Sequence, residues 1–97
     1  MYVKNGIAYA ENNPIQLKIV GVRPKDNFVL WVRFNTGEEK EFDFTPLLKR
    51  PAYSPLKDIN VFKEVYIDFG IPVWNAGSID IAPEYLYENG NSVNVAV

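Results

Sequence analysis

The chain contains no histidine and no cysteine. The first absence removes imidazole as a general base, a proton shuttle or a metal ligand. The second removes disulfides, thiol nucleophiles and zinc sites built on Cys or Cys/His sets. Long apolar runs are missing as well, since no stretch approaches the roughly 18 residues of a membrane span. The opening Met1-Tyr2-Val3-Lys4 lacks the apolar core of a signal peptide. The expectation from these absences is a soluble, cytoplasmic protein with no membrane partner and no cofactor. The six glycines stand at positions 6, 21, 37, 70, 77 and 90, too scattered for a phosphate-cradling loop. Basic residues run out after Lys63, beyond which Glu64, Asp68, Asp80, Glu84 and Glu88 are the only charged side chains. Phosphate binding needs clustered Lys and Arg, so duplex nucleic acid is not expected as a partner.

What is present is apolar and aromatic. Hydrophobic residues make up 47% of the 97 positions and aromatics 14%, enough for one self-sufficient domain over residues 1–97. Tyr2–Tyr9 places Asn5-Gly6 between β-prone runs, and the pattern predicts an N-terminal hairpin within residues 1–12. Ile15, Leu17 and Ile19 alternate with polar residues as in a half-buried strand, and the phase slips at Val20-Gly21-Val22, where a bulge is expected. Phe28, Leu30, Val32 and Phe34 alternate with Val29, Trp31 and Arg33. After Asn35-Thr36-Gly37, Phe42 and Phe44 alternate with Glu39, Glu41 and Asp43. A three-residue loop with glycine at positive φ pairs Phe34 with Glu38. It sets Leu30 opposite Phe42 and Phe28 opposite Phe44, and brings Arg33 to Glu39 on the other face. A slip of one residue would scatter the aromatics over both faces.

Beyond the hairpin, Thr45-Pro46-Leu47-Leu48 predicts a single turn and Lys49–Pro55 a loop. Asp58 suits the N-cap of a short helix over residues 59–64. Residues 65–69 and 79–81 read as strands, with turns at Gly70-Ile71-Pro72 and at Asn75-Ala76-Gly77. Pro83 at a first helical position and Gly90 past a last turn predict a second helix over residues 83–89. Val93, Val95 and Val97 alternate with polar or small residues, so residues 91–97 form a strand-like tail that needs a neighbour in its own chain or another. The fold class is therefore α+β, mostly antiparallel sheet, with a central three-residue-loop hairpin and two short helices.

Order and spacing carry a resemblance. Val22-Arg23-Pro24, the hairpin through Gly37-Glu38, and Phe42-Asp43-Phe44-Thr45-Pro46-Leu47-Leu48 lead to Pro55-Leu56-Lys57-Asp58, Phe62, Val65 and Asp68. The block closes with Val73-Trp74-Asn75-Ala76-Gly77-Ser78-Ile79-Asp80-Ile81-Ala82-Pro83-Glu84-Tyr85-Leu86-Tyr87. From about residue 15 to residue 87 this resembles the small bacterial proteins grouped as domain of unknown function 2442. The resemblance implies an α+β fold with a mostly antiparallel sheet and short helices, and it carries no established activity, cofactor or catalytic residue. Some members are encoded beside another small domain in pairs resembling toxin–antitoxin modules. Others are fused to a helix-turn-helix domain, and at this length no such fusion is expected.

With no catalytic constellation in view, the candidate residues belong to surfaces. Trp31, Trp74, Asn75, Tyr85, Tyr87, Val93 and Val95 are the candidate interaction surface, because Trp and Tyr anchor interfaces as well as cores. Core packing competes with contact at Trp74 more strongly than at Trp31, which lies on the hairpin face opposite Phe28 and Phe44. Tyr85 and Leu86 are adjacent and cannot face the same way on a helix. The leading expectation is a non-enzymatic protein-interaction or regulatory module, one half of a two-gene pair. Its partner is another protein, or a second copy joined through a sheet edge or an exchanged terminal strand. The alternative is a carboxylate-based metal binder or enzyme using Asp68, Asp80 and Glu84, whose competing roles are a strand-end charge, a cap and a helix-dipole partner. A third reading, weak nucleic-acid binding through Arg23, Lys25 and Arg33 beside Trp31, is opposed by the acidic residues on the same face.

Overall fold

The central hairpin forms in the expected register. A computed structural model describes residues 16–93, and in it strand β2 (Val29–Phe34) pairs antiparallel with β3 (Glu39–Asp43). Leu30 faces Phe42 and Arg33 faces Glu39. The Asn35-Thr36-Gly37 loop closes with the Phe34 amide donating to the Glu38 carbonyl at 2.8 Å. Gly37 takes φ +94°, a conformation that costs glycine no steric energy. Strand β1 (Ile19–Lys25) lies on the other side of β2, with a register shift between Ile19 and Gly21 at the expected bulge.

Two details of this sheet differ from the expectation. Phe28 is the last residue of a turn, Asp26–Phe28, and β2 begins one residue later. Asn27 and Phe28 both have φ +61°, because three residues must reverse the chain between Lys25 and Val29. The Phe28 ring still reaches the core and meets Phe62 edge-on at 5.5 Å, and its carbonyl accepts from the Phe44 amide at 2.8 Å. Ahead of β1, residues 16–18 are held by Asn35, whose backbone amide donates to the Lys18 carbonyl at 2.8 Å and whose side chain bonds the same segment. Its Nδ2 donates to the Gln16 carbonyl at 2.8 Å, and its Oδ1 accepts from the Lys18 amide at 3.1 Å. The N-terminal hairpin expected within residues 1–12, and Ile15, lie outside the described residues.

From β3 the chain enters a helical turn at Thr45–Lys49 and then a second, Pro51–Lys57, where the sequence predicts a loop. Prolines at the starts of tight turns lack an amide that would otherwise need a partner, so punctuation by Pro51 and Pro55 is compatible with this geometry. Helix α1 (Ile59–Phe62) follows, with Asp58 Oδ1 accepting from the Asn60 amide at 3.0 Å. It stops two residues short of the expected end, as the Glu64 amide turns back to the Val61 carbonyl. Strands β4 (Tyr66–Asp68), β5 (Ile71–Trp74) and β6 (Ile79–Asp80) form a second antiparallel sheet.

Helix α2 (Pro83–Asn89) has the expected bounds. Gly90 ends it for a different reason from the expected one: φ is −83°, but a Cβ there would stand 2.6 Å from the Leu86 carbonyl oxygen. Strand β7 (Asn91–Ser92) then pairs with β3, and the Val93 amide donates to the Glu39 carbonyl at 3.0 Å. The strand-like tail thus finds a neighbour in its own chain as far as Val93, and the first sheet runs β1-β2-β3-β7.

One apolar cluster joins the two sheets. Leu30, Val32, Phe34, Phe42 and Phe44 face Leu56, Phe62, Trp74, Ile81 and Leu86 with almost no exposure. Phe44 meets Phe62 at 5.6 Å and Trp74 at 5.3 Å, both edge-on, while Phe62 and Trp74 stack at 6.1 Å. Such pairs add about 0.5–1.5 kcal/mol each beyond area burial. No helix among the described residues is long and apolar enough to cross a membrane.

Candidate interaction surface

The expected surface residues separate on folding. Trp74 is a correction: it is fully buried, and its indole N–H donates to the Phe62 carbonyl at 2.9 Å. Its ring sits on the core side of β5, edge-on to Phe44 at 5.3 Å and stacked on Phe62 at 6.1 Å. Trp31 lies on the outer face of the first sheet, half-buried between guanidinium groups, with Arg23 at 5.3 Å and Arg33 at 5.7 Å from its ring centroid. Its Nε1 donates to Glu39 at 3.3 Å. Arg33 and Glu39 form an ion pair at 2.8 Å, and Lys25 and Glu41 one at 2.7 Å. The hydrogen bond from Arg33, more than the one from Trp31, holds the Glu39 carboxyl below its ordinary pKa. Two of the three cations on this face are thus paired with carboxylates, which disfavours a phosphate backbone as its ligand.

On α2, Leu86 is buried and Tyr85 is 37% exposed, the division their adjacency requires. Tyr87 is tied into the hairpin. Its hydroxyl donates to Glu38 at 3.0 Å, its ring meets Phe34 at 5.2 Å, and Lys40 sits 4.1 Å above its face. The Glu38 carboxylate on that hydroxyl pushes its pKa up. Asn75 is exposed, with φ +55°, in the turn before Gly77. Val93 is half-buried beside β3, and Val95 lies outside the described residues. Asp68, Asp80 and Glu84 are all exposed, on β4, β6 and α2, and no group of three carboxylates able to hold a metal ion occurs among the described residues.

Two features escape the sequence reading. The first is a cavity of about 180 Å³ lined by Leu47, Arg50, Tyr53, Ile81, Ala82 and Tyr85. The Tyr53 hydroxyl donates to the Asp80 carbonyl at 3.2 Å, which fixes one aromatic wall. Burial pushes the Tyr53 phenol above its ordinary pKa, and the Asp80 carboxylate adds to the rise. Arg50 gives the rim its positive charge.

The second is Phe69. Asp68 pairs with Ile71, so β4 and β5 are joined by the two-residue turn Phe69-Gly70, with φ +50° and +79°. Such turns favour Asn-Gly, and a bulky residue in the left-handed region costs about 1–2 kcal/mol. Phe28 shares that conformation but buries its ring against Phe62. The Phe69 side chain is 92% exposed. Glycine at position 70 is required, since a Cβ would come within 2.8 Å of the Lys18 Cβ, and its carbonyl accepts from the Ile19 amide at 2.8 Å. The turn is thus held firmly against the start of β1, where the bulge residue Val20 is also exposed. A Gly in the second place of a two-residue turn was the available signal, hidden by reading residues 65–69 as one strand.

Two antiparallel sheets with short helices around one aromatic core define a small α+β protein. The family profile described as Protein of unknown function (DUF2442) matches residues 19–92, and the chain belongs to that family. The match extends past the expected end at residue 87 and takes in β7. No curated protein and no solved structure matches the chain.

Proposed function

We propose that this protein is a non-catalytic protein-interaction module, the regulatory half of a two-gene pair of the kind the family resemblance implies. The observation that carries the reading is Phe69, a large apolar side chain that is 92% exposed on a turn whose backbone disfavours it. A residue that stabilises neither its turn nor the core, on a rigidly buttressed tip, is suited to contact. Exposed Tyr85 and the cation-rimmed cavity beside it add the Tyr and Arg chemistry that dominates interface energetics.

Differential affinity capture from native cells tests this. Tagged wild-type protein should retain a partner that F69N loses at least about tenfold, a loss of about 1.4 kcal/mol or more. F69N suits the turn better than the native residue, so misfolding does not confound the comparison. Equal capture by both proteins contradicts the reading.

A further inference from the structure

We propose that the cavity between the Thr45–Lys49 turn and α2 receives Phe69 of a second copy of this chain. The inference rests on reading Phe69 as a contact residue and names its partner. Three properties of the two surfaces agree. The first is size: an apolar cavity of about 150 Å³ holds one benzene ring, and this one, at about 180 Å³, has room for a phenyl side chain. The second is lining. Leu47 and Ile81 supply aliphatic contact, and Tyr53 and Tyr85 supply ring walls, against which a phenyl group packs edge-on or offset.

The third property is charge. Phe69 is flanked by Asp68, and the turn rests on the Lys18 side chain. The cavity is rimmed by Arg50, and its Tyr53 wall is bonded to the backbone of Asp80. Asp68 beside the knob and Arg50 at the rim of the hole are therefore opposite charges, complementary across the contact. A knob and a hole at different places on one chain make a heterologous contact, which joins copies head to tail. The contact is smaller than the roughly 800 Å² per partner of a standard interface, so the association is weak and concentration-dependent.

Sedimentation equilibrium of the full chain from about 20 µM to about 1 mM, paired with amide chemical shifts over the same range, tests this. The wild type should gain mass with concentration, with shift changes gathered at residues 68–70 and around Arg50, Tyr53 and Tyr85. F69N should stay monomeric. R50E and D68R should each weaken association at least about tenfold, and the double variant D68R/R50E should recover it. A wild type that stays monomeric throughout, an F69N that associates as well as the wild type, or no recovery in the double variant overturns the proposal. So would shift changes confined to the β1 or β7 edges. None of these results touches the contact reading, which is tested separately by whether F69N captures native partners as the wild type does.

Discussion

Two phenylalanines adopt the left-handed conformation, and what each ring touches separates structure from function. Phe28 offsets its backbone cost by meeting Phe62 at 5.5 Å, whereas Phe69 offsets nothing. F69N should therefore be more stable than the wild type by about 1 kcal/mol. In a domain of this size that raises Tm by about 4–8 °C, readable by calorimetry. A lower Tm would mean that the Phe69 ring stabilises the fold. Trp74 behaves in the opposite way. W74F removes the indole N–H, leaves the buried Phe62 carbonyl without its donor, and should cost about 1–3 kcal/mol in urea unfolding. Its surface reading from the sequence failed because Trp is an interface residue and a core residue for the same reasons, and only its packing against Phe44 and Phe62 decides between them.

At the scale of elements, the parts set by local chemistry were legible and the parts set by approach were not. The hairpin register follows from alternation plus one glycine, and α2 from Pro83 at its start and Gly90 past its end. The Pro51–Lys57 turn was missed because proline marks a loop and a helical start equally well. The cavity was missed because Arg50 lies between two helical turns, Tyr53 on the Pro51–Lys57 turn and Tyr85 on α2, and only the tertiary fold brings them together. Gly90 shows the same division. Its place after α2 was predictable, but the cause is the 2.6 Å approach of the Leu86 carbonyl to a would-be Cβ, not a positive φ. G90A should then destabilise the protein by about 1–3 kcal/mol through overpacking. A neutral G90A would show that the junction between α2 and β7 yields easily.

For the whole molecule, the missing histidine leaves carboxylates to set its stability in acid. Asp43 accepts from the Thr45 hydroxyl at 2.6 Å and from its amide at 2.9 Å. These bonds hold its carboxyl below the ordinary value, as the bond from Arg33 does for Glu39. A depressed folded-state pKa contributes stability that is present above the unfolded pKa and lost as pH falls through the folded one. Thermal melts should therefore be flat near neutrality and decline below about pH 4, with a shallower decline in D43N. A decline equally steep in D43N would assign the acid sensitivity elsewhere. Two sheets sharing an aromatic core present an outer face with two ion pairs, a cation-rimmed cavity and the exposed Phe69 ring on a fixed turn. The most direct measurement of the contact role is photo-cross-linking in native cells with a benzophenone side chain at position 69, compared with the exposed loop position Thr36. A discrete cross-linked species from position 69 and none from position 36 is the predicted result. Equal or absent cross-linking at both would contradict it.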